Sequence, residues 1–97
     1  MPTYIALLRW TQQGIESIKE SPARHEAGKR ALQAMGARVK EFYMVMGRYD
    51  AIAIWEAPDD ETVAKLALTV ESKGSVRIEL LRAFTEDEYR KIVAALP

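Results

Sequence analysis

Three side chains of this sequence, Tyr49, Asp50 and His25, are its candidates for proton transfer. Tyr49 and Asp50 follow Gly47-Arg48, and Asp50 could act there as a general base or hold the hydroxyl of a ligand. An aspartate beside a glycine turn also commonly caps backbone amides, which would leave Tyr49 as a packing residue with its hydroxyl at the surface. We favour this structural interpretation because the turn alone explains both residues.

His25 is the single histidine of the chain, and its ordinary pKa suits acid–base chemistry near neutral pH. It lies between Arg24 and Glu26 in a polar segment, with no evident partner to orient it, so we favour an exposed helix residue. One histidine and no cysteine also argue against haem or a catalytic zinc ion. The acidic group at 59–61 reads as helix capping rather than a metal site. The sequence therefore predicts no metal and no cofactor.

Arg9 and Arg82 are candidates for binding an anion. Each lies near the C-terminal end of a predicted strand, the first and the fourth, and we expect these strands to be adjacent and parallel. Two guanidinium groups brought together at a pocket mouth would bind a carboxylate or a phosphate. Alternatively, each pairs with an acid such as Glu79 or Glu56, or extends into solvent, and we favour this alternative because surface ion pairs are common.

Three aromatic residues on predicted strands, Trp10, Tyr43 and Trp55, could line an apolar cavity. The cavity would lie between helices and sheet, or between the sheets of two chains, and would suit a small organic ligand. Strand aromatics are more often core or interface anchors. With Arg9 and Arg82, these three residues form the predicted ligand-binding set.

Hydrophobic periodicity and turn signals predict the order β-α-β-β-α-β plus a C-terminal helix, with the first helical region divided into two segments. The strands are expected at 3–10, 38–46, 49–56 and 75–84, and the helical segments at 12–19, 22–35, 60–73 and 86–96. An aspartate of Pro58-Asp59-Asp60 is the expected N-cap of the third helical segment, and Thr85 with Glu88 matches a capping box. This order is the ferredoxin-like α+β arrangement, an antiparallel four-stranded sheet of order 4-1-3-2 in one domain over residues 1–97.

The first and third strands carry uncharged runs at 4–8 and 51–55. Strands with two apolar faces must be covered on both sides, and two helices can cover only one face of the sheet. The sequence therefore predicts a homodimer, or a higher homo-oligomer, formed through the helix-free face. The C-terminal helix folding back over that face is the rival cover.

The composition of the chain limits the classes of partner that it is expected to bind. Fourteen basic and fourteen acidic residues give a formal net charge of zero, which disfavours nucleic acid and anionic membranes as partners. No apolar run approaches the length of a membrane span, and the N-terminus shows no signal peptide. The sequence predicts a soluble cytoplasmic protein.

Several blocks of the sequence, in order along nearly the whole chain, resemble the GYD domain family. They are 3–4 leading to 7–11, 13–15, 19–22, Gly47-Arg48-Tyr49-Asp50, 56–60 and 81–85. The resemblance implies a member of the dimeric α/β-barrel structural class. Because no role is assigned to the family's residues, it carries over no catalytic residue and no reaction, and a shared fold says little about chemistry.

Two classes of function remain open from the sequence. The first is a small oligomeric module that binds a small organic ligand or serves as a structural module. The second is a cofactor-independent enzyme of isomerase, monooxygenase or dehydratase type acting on a ring-containing or carbonyl substrate. RNA binding on the open sheet has little support, because the third strand carries Asp50 and Glu56 and no basic residue.

Overall fold

A computed structural model describes residues Met1–Pro97 and contains four strands and four α-helices. In chain order they are β1 (Thr3–Trp10), α1 (Gln12–Glu16), α2 (Ser21–Ala34), β2 (Arg38–Met44), β3 (Ala51–Glu56), α3 (Asp60–Glu71), β4 (Val76–Ala83) and α4 (Glu86–Ala94), with a 3₁₀ turn at Ile18–Glu20. The predicted order of elements is thus present. The predicted segment 12–19 is two pieces, because Ser17 closes α1 before the 3₁₀ turn begins.

The four strands form one antiparallel sheet in the order β2-β3-β1-β4, which is the order 4-1-3-2 read from its other edge. Ala6 of β1 lies opposite Ala53 of β3 on one side and Leu80 of β4 on the other. The expectation that β1 and β4 run parallel is wrong. Their antiparallel pairing sends the C-terminal ends of the two strands to opposite ends of the sheet.

The core lies between the sheet and helices α2 and α3. Alternate residues of β1 and β3 face the helices, and the most buried of them are Tyr4, Ala6, Ala53 and Trp55. The helices contribute three buried side chains, Leu32, Val63 and Leu66. The Asp59 side chain caps α3 by accepting from the Thr62 amide at 2.8 Å, as predicted.

A β-bulge between Val39 and Glu41 changes which side chains of β2 face the helices. Val39 lies opposite Trp55, and Phe42 lies opposite Ala53, so both are on the helix-covered face. Strict alternation would put residues 39 and 42 on opposite faces. The extra residue, Lys40, therefore directs Phe42 toward α2.

The connection between β2 and β3 is longer than the predicted tight turn. It spans Val45–Asp50, closed by a hydrogen bond from the Val45 amide to the Asp50 carbonyl at 2.9 Å. Gly47 has a φ of 129°, which favours glycine over any other residue.

Helix α4 begins with the predicted capping box, in which Thr85 and Glu88 bond each other's backbone amides. It does not fold back over the sheet. Its apolar residues are exposed, and none of its side chains hydrogen-bonds outside the helix and its cap. The helix-free face is therefore covered by no part of its own chain.

Candidate functional site

A cavity of about 170 Å³ lies between α2 and the helix-covered face of the sheet. Its floor comes from the sheet and includes Trp10, Ala53 and Trp55, and its roof is α2. The segment joining α3 to β4 closes one end with Lys73 and Ser75. Most of the lining is apolar, which is the composition of a site for a small organic molecule.

Small residues on facing surfaces leave this space open. The sheet presents Ala51 and Ala53, and α2 presents Ala27 and Gly28. A Cβ atom built on Gly28 would meet no atom within 4 Å outside the local backbone of its own helix, so glycine there faces open space. Closely packed interiors rarely leave such a gap, so the cavity depends on these residue choices.

Both tryptophans of the chain line the cavity, and Trp55 is also part of the hydrophobic core, the role that the sequence favoured for strand aromatics. His25 also lines it, stacked on Phe42 with 4.0 Å between ring centroids. Partial burial, and then the Lys29 charge, lower the His25 pKa below its ordinary value of 6.5. His25 is therefore half-buried beside the cavity rather than the freely exposed helix residue that we favoured.

The charged lining of the cavity is entirely basic. Arg24 and Lys29 on α2 and Lys73 after α3 form what we call the cationic rim, and His25 is the fourth basic residue. No aspartate or glutamate lines the cavity. Sequence reasoning missed this rim, because Lys73 is distant in the chain from Arg24 and Lys29 and only folding brings it to α2.

Two members of the cationic rim have other bonds. The Arg24 guanidinium donates to the Ser17 carbonyl at 3.0 Å and to the Gly14 carbonyl at 3.4 Å, so its bonds go mainly to neutral acceptors. Glu20 is 3.9 Å away. Lys29 pairs with Glu26 at 3.0 Å. Lys73 has no ion-pair partner within 4 Å, which leaves its charge available at the rim.

Asp50 and Tyr49 lie outside the cavity and make structural contacts. The Trp10 backbone amide donates to the Asp50 carboxylate at 2.9 Å, and the Asp50 amide donates to the Leu8 carbonyl at 2.8 Å. The Tyr49 hydroxyl donates to Glu79 at 3.0 Å. These bonds tie the β2–β3 connection across β1 to β4, in agreement with the structural interpretation of both residues.

Arg9 and Arg82 do not meet. Arg9 lies opposite Arg77, whereas Arg82 lies opposite Tyr4, at the other end of the β1–β4 pair. Their guanidinium groups rest on different rings, Arg9 on Tyr49 at 4.9 Å and Arg82 on Phe84 at 4.5 Å. The two-arginine anion site, which the sequence left open as the less favoured interpretation, is therefore absent, because the β1–β4 pairing is antiparallel and not parallel.

Tyr43 lies on the helix-free face of β2, where it is exposed and its hydroxyl donates to Glu41 at 2.6 Å. It does not line the cavity, and neither do Arg9 and Arg82. Of the predicted ligand-binding set, the structure brings only Trp10 and Trp55 together. No cluster of three or more metal-ligating side chains is present, and no helix has the length and apolarity needed to cross a membrane.

An antiparallel ferredoxin-like sheet with helices on one face and a cavity beneath α2 defines a small α+β domain. The chain belongs to the GYD domain family, whose model matches residues 4–93. This confirms the resemblance seen in the sequence.

Named relatives extend the comparison. The chain is 38% identical over 84 residues to a Thermus thermophilus protein named glutamine synthetase and cystathionine beta-lyase binding protein, covering 86% of this chain and 88% of the relative. It is similar to the crystal structure of the Thermus thermophilus protein TTHA0845, with a TM-score of 0.56 and 28% identity, over 87% of this chain and 94% of that one.

One solved structure of similar fold is an enzyme. It is 5-chloro-2-hydroxyhydroquinone dehydrochlorinase from Burkholderia phenoliruptrix, in complex with 2,5-dihydroxybenzoquinone. The TM-score is 0.60 and the identity 16%, over 90% of this chain and 97% of that one. At this identity the likeness supports the fold and no more.

Proposed function

We propose that this protein is a homo-oligomeric binding module that holds a small organic ligand in the cavity between α2 and the sheet. The observation that carries the proposal is the cavity itself, an apolar space with both tryptophans in its lining. A cavity of about 150 Å³ is large enough to bind benzene in another protein. The 170 Å³ space here would therefore hold one six-membered ring.

The ligand-binding proposal is tested by mass spectrometry of small molecules that co-purify with the native protein. The Gly28→Leu variant places a side chain in the empty space beside α2 and should lose the bound compound. Leucine also favours helix more than glycine does, so the variant should fold. Ala34→Leu, at an exposed position of the same helix, is the matched control and should retain the compound. Equal recovery from both variants would contradict the proposal.

The proposed oligomer is a dimer formed through the helix-free face. The centre of this face carries Ile5, Leu7, Ile52 and Ile54, flanked by Leu81 of β4. Burying apolar surface stabilises an association by roughly 25 cal/mol per Å² before its entropic costs. The face also carries residues of both charge signs, such as Arg77 and Glu79 on β4, so a two-fold copy would not meet uniform like charge. Such a dimer would be the α/β barrel that the family resemblance implies.

The oligomer is tested by light scattering coupled to size exclusion. We expect a mass of at least twice the 11.0 kDa chain mass at micromolar concentration. Ile52→Glu puts a charge at the centre of the face and should yield monomer. Leu68→Glu, on the outward face of α3 with the side chain 67% exposed, is the control and should leave the mass unchanged. A wild-type monomer would overturn the proposed dimer.

A second candidate function is the binding of partner enzymes, favoured by the name of the 38% identical Thermus thermophilus relative. Purified glutamine synthetase and cystathionine beta-lyase would each be tested against this chain by analytical ultracentrifugation. Co-sedimentation of this chain with either enzyme would support this candidate. Absence of any complex with both enzymes would count against it.

The enzyme alternative has weaker support from the geometry. Its proton-transfer pair, Tyr49 and Asp50, is engaged in structural hydrogen bonds outside the cavity. His25 is the one candidate acid–base group that lines the cavity, and no carboxylate there orients it. We therefore place the binding module first. A cytoplasmic location stays a prediction from the sequence.

A further inference from the structure

We propose that the cavity selects a ring compound that carries a negative charge, such as an aromatic carboxylate, over neutral and cationic rings. This inference rests on the ligand-binding function proposed above. The ring would lie in the apolar part of the cavity beside Trp10 and Trp55, and the anionic group would face the cationic rim of Arg24, Lys29 and Lys73.

The first step of the argument is the charge of the lining. Three of the lining residues are arginine or lysine and none is acidic, although the chain as a whole has fourteen of each charge. Charge of one sign beside low-dielectric walls concentrates the potential inside a cleft. An anion entering this cavity would therefore be favoured, and a cation of the same shape would be disfavoured.

The second step is the availability of that charge. Arg24 is fixed by bonds to neutral acceptors, so its position is set before a ligand arrives, and its 3.9 Å ion pair with Glu20 neutralises its charge in part. Lys29 is partly neutralised by Glu26. Lys73 has no acidic partner, so an incoming carboxylate does not compete with an existing ion pair there. Lys73 is therefore the member of the cationic rim whose charge no acidic side chain offsets.

The third step is size. The cavity volume matches one six-membered ring, and its lining places aromatic surfaces on the floor. Aromatic rings stack favourably at centroid separations of about 4.5–7 Å. A single-ring acid fills such a space with its apolar part and keeps its charge at the rim, whereas a long flexible chain would lose more conformational freedom on binding.

Three nearly isosteric probes test the inference: benzoate, benzamide and benzamidine, with charges of minus one, zero and plus one. Binding is followed by the two indole N–H signals of ¹⁵N-labelled protein, because both tryptophans of the chain line the cavity. We expect benzoate to bind more tightly than benzamide, and benzamide more tightly than benzamidine. Benzoate affinity should fall with added salt, because screening acts on the charge alone.

Three variants test which residues cause the preference for benzoate. Lys73→Gln should weaken benzoate binding by about threefold, the size expected of one exposed charge, and leave benzamide unchanged. Lys65→Gln, on the solvent side of α3 and paired with Glu61, is the matched control and should change neither affinity. Gly28→Leu should abolish binding of all three probes, because it fills the cavity.

The pattern of outcomes separates this inference from the proposed function. If benzamide binds as tightly as benzoate and Gly28→Leu abolishes both, the cavity binds rings without charge selection, and the inference is overturned while the proposed function stands. If no probe shifts either indole signal at millimolar concentration, the inference is overturned. If Gly28→Leu also leaves the co-purified compounds unchanged, the proposed function falls with it.

Discussion

The carboxylate of Asp50 accepts a hydrogen bond from the backbone amide of Trp10 at 2.9 Å, 40 residues away in the chain. This bond satisfies a backbone group at the end of β1, where the β1–β3 ladder stops at the Leu8–Ala51 pair. It also holds in place the residue whose indole lines the cavity. Asp50 thus supports the candidate site without lining it.

Asp50→Ala should lower the free energy of unfolding by about 1–2 kcal/mol, because it leaves the Trp10 amide without its acceptor. Asp50→Asn should cost less, because the amide oxygen can accept the same bond. Thermal and urea unfolding of the two variants measure this difference. A variant Asp50→Asn that keeps wild-type stability but loses a measured turnover would instead support proton transfer by Asp50.

Two glycines should respond in opposite directions to the same change. A Cβ on Gly14 would lie 2.1 Å from the Ser75 carbonyl oxygen, so Gly14→Ala must displace backbone and should destabilise the protein by about 1–3 kcal/mol. A Cβ on Gly28 would meet nothing within 4 Å, so Gly28→Ala should stabilise the protein by about 0.5–1 kcal/mol through helix propensity. Melting temperatures of the pair check both signs. Equal shifts would contradict the close approach of α1 to the Ser75 segment.

The Tyr4 hydroxyl is buried and donates to Asp60. Burial, and then the Asp60 hydrogen bond, raise the pKa of Tyr4 from 10.0 to about 12. Because the unfolded chain releases this proton near pH 10 and the folded chain retains it, the free energy of unfolding should fall as pH rises from about 10 to 12. Below pH 10 this contribution should be constant.

Urea unfolding of wild type and Tyr4→Phe between pH 8 and 12 tests this linkage. The variant should show a shallower decline of stability above pH 10, because it has no proton at residue 4 to lose. Absorbance titration of the tyrosinates should show one fewer late-titrating group in the variant. Parallel stability curves for the two proteins would contradict the raised pKa.

Local patterns predicted much of the fold. The capping box at Thr85 and the aspartate cap of α3 each depend on residues within a few positions of one another. Uncharged runs in the first and third strands predicted that these would be the central ones. Such local interactions can be predicted from the sequence because the residues that make them are neighbours in the chain.

The site was harder to predict because its partners are distant in the sequence. Phe42 faces the cavity only because a bulge at residue 40 shifts the alternation of β2, and alternation alone assigns it to the other face. Lys73 reaches the cationic rim only through the α3–β4 connection. A signal was nevertheless present in α2, where Arg24 and Gly28 are four residues apart and so share one helix face with adjacent small residues.

Helix α4 should fold and unfold independently of the rest of a monomer, because its apolar side chains, such as Ile92 at 48% exposed, lie in solvent. Thr85→Ala removes the cap and should reduce helical circular dichroism, with a local cost of about 1 kcal/mol. It should not change the melting temperature or the indole signals of Trp10 and Trp55. Amide hydrogen exchange in α4 should be fast compared with β1 and β3. A lower melting temperature that returns toward the wild-type value at higher protein concentration would contradict this independence, and would show that α4 packs against a second copy of the chain.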